Sequence, residues 1–221
     1  MHGPPGPQAP LPAGEAVLIG LAALAVMLIP FLWPLVDHFY TMGHEGTHAA
    51  FASLLGFPLA GVIVNADNEG LTSYYGSDGP RRVLVSFSGY LGPSAFGVAA
   101  AKLISLGQPV TVLWLAVVLL GLLLFLIRKS FGILSVPAVI TLIAVVLHNG
   151  HARTEVIAAY AMAWLLLLSG LRIAAAHGAD AGDAYTLNEV THLPRRLWAL
   201  LWLAGTFAAL LYGGRLLVLG R

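Results

Sequence analysis

The sequence contains no cysteine among its 221 residues. This absence excludes disulfide bonds and thiolate metal ligands, so only His, Asp or Glu side chains could hold a transition metal. Charge is also scarce, since 10% of the residues are charged where soluble domains carry about 25%. The basic residues form no run or stripe that could follow a phosphate backbone. We therefore expect no nucleic acid partner.

Apolar side chains dominate instead, with 58% hydrophobic residues and a mean hydropathy of +0.85. This composition predicts an all-α polytopic membrane protein in a lipid bilayer. Six apolar runs have the length of a transmembrane helix, and a seventh segment, 39–56, is apolar but contains His44, Glu45 and His48. The prediction is six to seven transmembrane helices. The six clear runs are 16–36, 83–106, 109–127, 131–147, 154–173 and 197–219.

The N-terminal 14 residues are rich in Pro and Gly and contain no Lys or Arg. They predict a disordered tail, 1–14, followed by a transmembrane domain, 15–221. The run 16–36 lacks the basic start of a signal peptide and is longer than the usual apolar core of about 7–15 residues. We interpret it as a transmembrane helix that bends near Pro30 and Pro34.

Residues 57–82 are polar enough to leave the bilayer, and two short apolar stretches within them flank a turn-like segment, 65–70. This pattern predicts a small membrane-associated β-hairpin. Two roles are open. The hairpin is either a surface connector or an exposed edge strand that receives a substrate peptide by β-augmentation.

Basic residues predict the orientation. With seven spans, the side of the N-terminus and the hairpin contains seven Lys and Arg residues against four on the other side, which favours a cytoplasmic N-terminus and hairpin. The seven are Arg81, Arg82, Arg128, Lys129, Arg172, Arg195 and Arg196; the four are Lys102, Arg153, Arg215 and Arg221.

Residues 44–48 read His-Glu-Gly-Thr-His, an H-E-x-x-H motif. On a helix the two histidines lie about 40° apart around the axis, so both imidazoles can bind one ion. Zn²⁺ suits such ligands, and Glu45 can lie beside the ion and take a proton from the attacking water. From the composition, the motif is expected by chance roughly 0.006 times in this chain. Ionisable groups are costly inside a membrane helix, which further favours a metal site.

A zinc site needs a third protein ligand, and Asp183 is our choice because its loop and the end of the site helix share a predicted face. Asp183 could instead cap the helical stretch 184–190, and Asp180 is the alternative ligand. His148 and His151 could share a second ion, although a solvated loop is the more common outcome. The other candidate ligands considered are Asp37, Asp67, Asp78, Glu155 and Glu189, while His38, His177 and His192 are interpreted as interfacial residues.

Several of these features together resemble the site-2 protease family of intramembrane zinc metallopeptidases, in particular a compact bacterial branch without a PDZ domain. The resemblance rests on four stretches of the sequence: 44–48, the hairpin residues Gly70-Leu71-Thr72, 89–93 with its Gly92-Pro93, and Asp183-Ala184 followed by 191–194. Two positions depart from the family pattern. Phe96 stands where an Asn often follows the Gly-Pro, and Ala184 follows the third ligand.

The resemblance implies that His44, His48 and Asp183 bind zinc and that Glu45 is the general base. It implies a membrane protein substrate cut in or near the bilayer, and a location in the bacterial inner membrane. We assign substrate binding to Gly70, Leu71, Thr72, Gly92 and Pro93. The glycines near Pro93 could equally serve close helix packing.

Two other functions compete with proteolysis. A non-catalytic membrane scaffold or chaperone could keep the metal for stability, but it would not need Glu45. A metal-ion transporter would need His or acidic residues along several spans, and the clear apolar runs contain almost none.

Overall fold

The computed structural model describes residues 8–76, 79–128 and 131–220. Within these ranges the chain forms helices and one two-stranded antiparallel sheet, which confirms the predicted all-α membrane class with a small hairpin. Asp78, Lys129, Arg221 and residues 1–7 of the predicted tail lie outside the described residues. The elements are α1 Ala13–Leu28, α2 Trp33–Leu54, β1 Leu59–Val64, β2 Gly70–Tyr74, α3 Pro80–Ser105, α4 Pro109–Leu126, α5 Gly132–Asn149, α6 Ala152–His177, α7 Gly182–Thr191 and α8 Arg195–Leu219.

The first apolar run is broken rather than bent. α1 ends at Leu28, α2 begins at Trp33, and the two helix axes differ by 104°. Pro30 lies in the break, where it cannot supply a helical N–H, and Pro34 lies in the first turn of α2, where none is needed. The predicted boundaries, 16–36 and 39–56, were therefore wrong at this junction, because residues 33–36 belong to the site helix.

The break also lowers the number of crossings. Among the described residues, five helices are long and apolar enough to cross a membrane, and a sixth span results if α1 and α2 count as one. Six agrees with the lower predicted number, but seven is not reached, since α2 does not make a crossing of its own.

The beginning of α1 and the hairpin lie at opposite ends of the bundle. We call the end where α3 begins and α6 finishes the hairpin end, and the other the far end. Glu15 forms an ion pair with Arg153 at 2.9 Å, and the Gln8 N–H donates to the Gly107 carbonyl at 2.9 Å, both at the far end. The sequence-based placement of the N-terminus beside the hairpin was therefore wrong, because it counted α2 as a separate span.

Part of the predicted tail is ordered against the bundle. Besides the Gln8 contact, the Leu11 N–H donates to the Tyr160 hydroxyl at 3.1 Å, and α1 already begins at Ala13. The structure of residues 8–14 thus differs from the expected disordered tail.

Two features hold α2 in place for the site. α3 lies at the centre of the bundle and contacts α2, α4, α6, α7 and α8. At the α1–α2 break, Arg172 of α6 donates to the Met27 carbonyl, and its guanidinium lies 3.7 Å from the centroid of the Trp33 ring. Arg172 thereby satisfies a terminal carbonyl of α1 and packs on the first residue of α2.

Because the chain contains no cysteine, single cysteines report membrane sidedness without background. We expect Ala9→Cys and Ala66→Cys, both exposed positions, to react with an impermeant maleimide from opposite sides of the membrane. Labelling of oriented vesicles, read by a mass shift on gels, measures this. Labelling of both variants from the same side would contradict the six-crossing arrangement.

Candidate metal centre

Two histidines of α2 and one aspartate of α7 converge at the hairpin end of the bundle. The Nε2 atoms of His44 and His48 lie 3.0 Å apart. Asp183 Oδ2 lies 3.2 Å from the first and 3.1 Å from the second. The three atoms therefore form a nearly equilateral triangle. They are the one cluster of at least three metal-ligand side chains found among the described residues.

The hydrogen bonding of His48 shows that this triangle suits a cation. Its Nδ1 lies 2.8 Å from the Val85 carbonyl oxygen, which can only accept, so Nδ1 carries a proton. In neutral His48 the Nε2 atom is then a lone-pair acceptor facing the Asp183 carboxylate, a second acceptor. A metal ion between them removes this conflict and matches the usual pattern, in which a ligating His donates its other N–H to a carbonyl.

The spacing also agrees with a tetrahedral ion. With ligand bonds of about 2.0–2.1 Å, the edge of such a tetrahedron is about 3.3 Å, close to the observed separations of 3.0 to 3.2 Å. Two imidazoles and one carboxylate are a ligand set that zinc accepts, with a fourth position left for water or substrate. The residues present therefore fit a zinc ion.

Glu45 lies beside the triangle but is not part of it. Its side chain is buried, with 4% exposure. Its Oε2 accepts a hydrogen bond of 2.6 Å from the Thr72 hydroxyl of β2. Gly70 of β2 packs so closely on this carboxylate that a Cβ atom there would collide with it. The hairpin thus directly orients the proposed general base.

Asp183 lies in the first turn of α7 and not at its N-cap, which is Ala181. The sequence-based alternative of a capping role was therefore wrong, and a carboxylate in the first turn is favoured by the helix dipole. Burial alone would raise the pKa of Asp183, but the neighbouring His48 and His44 imidazoles hold it well below its usual range. A lowered pKa favours the ionised form of the carboxylate, which is the form that binds a metal.

A polar cleft of about 1050 Å³ gives access to these residues from the hairpin end. The cleft is lined by α2, by β2 and the turn that connects it to β1, by the beginnings of α3 and α7, and by the end of α6. Gly70, Leu71 and Thr72, assigned to substrate binding, line it together with His44, Glu45, His48 and Asp183.

Gly92 and Pro93 have a different environment. A Cβ atom at Gly92 would collide with the Thr47 side chain, and the Pro93 ring lies 3.4 Å from the position a Gly43 Cβ would take. Gly92 therefore lets α3 approach α2 closely, and Pro93 packs beside Gly43, in agreement with the packing interpretation of this glycine-rich stretch. Phe96 lines a separate apolar cavity of about 360 Å³ on the other side of α2.

The remaining candidate ligands stay apart from the centre. Asp180 is exposed and does not join the cluster, and His148 and His151 are also exposed. His38, interpreted as interfacial, is instead buried, and its Nε2 lies 2.7 Å from the Ser135 hydroxyl. His177 lines the cleft, as do Asp37 and Asp67.

Sequence reasoning missed three contributors to the centre. The Val85 carbonyl sets the tautomer of His48, and a main-chain acceptor leaves no sequence signal. Gly89 lies against both imidazoles, since a Cβ atom there would meet them, although its place in the glycine stretch could have indicated close contact with α2. Tyr40, four residues before His44 and so on the same helix face, lies with its ring centroid 5.8 Å from that of His44.

A partly buried His-His-Asp group beside a buried glutamate, within a bundle of membrane-crossing helices, defines a membrane protein with a metallopeptidase-like centre. The model of the family described as Peptidase M50B-like matches residues 17–213, and the chain belongs to this family. The match confirms the resemblance to site-2 proteases and makes the protein a member of a membrane peptidase family. Comparison with curated proteins gave no match, and neither did comparison with solved structures.

A methyl group at Gly89 should disrupt this centre. Gly→Ala inside a helix is usually favourable, but in Gly89→Ala the new Cβ would meet His48 and His44. We expect metal affinity to fall by roughly 10-fold or more, measured by competition with a chelating dye.

The matched control is Gly121→Ala in α4, where a Cβ atom would meet nothing within 4 Å. It should keep the wild-type affinity. Equal affinities in the two variants would contradict the placement of Gly89 against the ligand rings.

Proposed function

We propose that the protein is a zinc-dependent intramembrane endopeptidase that cuts a transmembrane or membrane-proximal segment of a membrane protein. The convergence of His44, His48 and Asp183 beside the buried, unligated Glu45 is the observation that carries this proposal. Membership of a peptidase family supports it independently. A scaffold would explain the three ligands but not the glutamate, whose carboxylate is buried without a basic partner among its described contacts.

In this mechanism His44, His48 and Asp183 hold the ion. When bound, zinc supplies Lewis acidity that polarises the scissile carbonyl and lowers the pKa of the attacking water. Glu45 takes the proton of that water and then delivers it to the leaving amine as the peptide C–N bond breaks. The Thr72 hydroxyl holds the Glu45 carboxylate in one orientation, and the surrounding low dielectric strengthens these interactions.

The hairpin offers the substrate one strand edge. β1 lies between β2 and the end of α4, because the Arg128 N–H donates to the Val62 carbonyl at 2.8 Å. The opposite edge of β2 faces the cleft. Since a locally unwound peptide needs partners for its main chain, we include β-augmentation on β2 in the proposal.

The register of the hairpin indicates which main-chain N–H and C=O groups of β2 could pair with a substrate strand. The Asn65 N–H donates to the Glu69 carbonyl, so these two residues are a hydrogen-bonded pair. Hydrogen-bonded and non-hydrogen-bonded pairs alternate along an antiparallel ladder. Ile63–Leu71 is therefore hydrogen-bonded, whereas Val64–Gly70 and Val62–Thr72 are not. The main-chain groups of Gly70 and Thr72 then point away from β1, toward the cleft. A substrate strand would pair with these two residues, next to Glu45.

The orientation follows from the same basic residues as before. Among the described residues, six Lys and Arg residues at the hairpin end outnumber three at the far end, so we place the opening of the cleft on the cytoplasmic side of a bacterial inner membrane. With six crossings, the N-terminus then lies on the outer side.

The roles of ligands and base can be separated by substitution. We expect His44→Ala and Asp183→Ala to lose zinc and activity, whereas Glu45→Gln keeps zinc and loses roughly 10²- to 10⁴-fold in kcat. Elemental analysis of detergent-purified protein and cleavage of a reporter transmembrane substrate measure both properties. Glu189→Gln, an exposed position on α7, is the matched control and should resemble wild type.

Two outcomes would count against the protease. Folded wild-type protein that binds no zinc would remove the metal centre, and wild-type cleavage by Glu45→Gln would remove the general base. Zinc binding without any cleavage of membrane substrates would favour the scaffold.

Strand pairing predicts an alternating response to backbone methylation. In an extended peptide that carries a zinc-binding hydroxamate, N-methylation at every second residue should weaken inhibition roughly 10-fold or more, while methylation at the intervening residues has little effect. Inhibition constants of the two methylated series measure this. A uniform loss in both series would contradict pairing along β2.

A further inference from the structure

Asn68, in the turn between β1 and β2, has all the hydrogen-bonding groups of its side chain engaged. The side-chain amide nitrogen, Nδ2, donates to Asp37 Oδ2 and to the Pro34 carbonyl, both at 3.1 Å. Its Oδ1 lies 3.0 Å from Nδ1 of His38. Two donor hydrogens and one acceptor are thus matched by three partners in the first turns of α2.

The main chain of Asn68 adds to this attachment. Its backbone adopts the left-handed conformation, with φ of 68°, and its carbonyl accepts from the Thr41 hydroxyl at 3.1 Å. Asn tolerates this conformation better than most residues. The turn is therefore fixed to α2 by both main-chain and side-chain contacts.

His38 extends the connection to α5. Because Asn68 Oδ1 can only accept, His38 Nδ1 carries a proton and donates to it. In neutral His38 the Nε2 atom accepts from the Ser135 hydroxyl at 2.7 Å. We call Asn68, Asp37, His38, Thr41 and Ser135 the turn clamp.

The turn clamp lies immediately before the part of the hairpin that contacts the general base. Gly70, two residues after Asn68, packs on the Glu45 carboxylate, and Thr72, four residues after it, donates to Glu45 Oε2. A displacement of the turn would move both contacts at once, because Gly70 and Thr72 follow Asn68 along one strand.

We infer that Asn68 is a positioning residue, which holds β2 at the height along α2 where Thr72 and Gly70 orient Glu45. The inference rests on the proposed function, since Glu45 acts there as the base. The hydrogen bonds of the Asn68 side chain and carbonyl go to the first turns of α2 and not to the three ligands or to Glu45. It acts through Thr72 and Gly70.

The first test compares two asparagines of the same turn. Asn68→Gly keeps access to the left-handed backbone but removes the side-chain contacts, and Asn65→Gly removes an amide with no side-chain hydrogen bond among the described residues. In Asn68→Gly we expect kcat to fall roughly 10- to 100-fold with zinc content unchanged, and in Asn65→Gly we expect wild-type kcat.

A second variant separates hydrogen bonding from shape. Asn68→Asp has the same shape and keeps the acceptor for His38, but it replaces the donating amide by a carboxylate that faces Asp37. We expect a loss of kcat at least as large as in Asn68→Gly. Wild-type kcat in both Asn68 variants would overturn the inference.

A double-mutant cycle tests whether Asn68 acts through Thr72. If it does, the loss of kcat in the double variant should be smaller than the product of the losses in Asn68→Gly and Thr72→Val, since one of the contacts that Asn68 positions is already gone. Independent losses that multiply would overturn the inference and leave Asn68 with a role in folding alone.

Hydrogen exchange keeps this test separate from the proposed function. Amide exchange in the peptide that covers β2 should accelerate in Asn68→Gly and not in Asn65→Gly, whether or not the protein cleaves anything. Unchanged exchange overturns the clamp itself. If the wild-type protein cleaves nothing but exchange in β2 is still faster in Asn68→Gly, the turn clamp exists and the proposed protease activity fails.

Discussion

Three polar atoms that meet within 3.2 Å of one another inside an apolar bundle are the constraint on which the rest of the structure depends. Two imidazole nitrogens and a carboxylate oxygen are costly to bury without a cation or protons between them. Their burial depends on the close packing of α3 against α2. Gly89 lets α3 pass directly against both rings, and Val85 of the same helix supplies the carbonyl that orients His48.

The hairpin belongs to the centre as much as the helices do. Glu45 is on α2, but the two residues that contact its carboxylate, Gly70 and Thr72, are on β2. In the proposed mechanism, β2 would bind the substrate along one edge while Thr72 and Gly70 contact Glu45, so substrate binding and chemistry would depend on the same strand. This explains why an otherwise helical membrane protein keeps a sheet of two strands, which would be marginally stable alone.

Much of this could be predicted from the sequence because the signals are local. The motif at 44–48 specifies its own geometry on any helix, and long apolar runs specify membrane helices. The α1–α2 junction was harder, since hydropathy counts apolar residues and cannot tell a crossing from a turn of 104° within the bundle. His38 was misjudged for a related reason, because its partners Asn68 and Ser135 are 30 and 97 residues away in the chain.

The choice between six and seven crossings does not affect the predicted metal centre, and the reason is physical. Replacing seven spans by six moves only the N-terminus to the other side, since every later helix keeps its direction. Asp183 therefore stays at the hairpin end, where α2 finishes, and the basic residues keep their two groups. Asp183 was predicted as the third ligand because its loop and the end of α2 lie at the same end of the bundle. The helices from α3 onward determine this placement. The position of Asn68 had no such support, because it depends on how a turn folds back onto the beginning of α2.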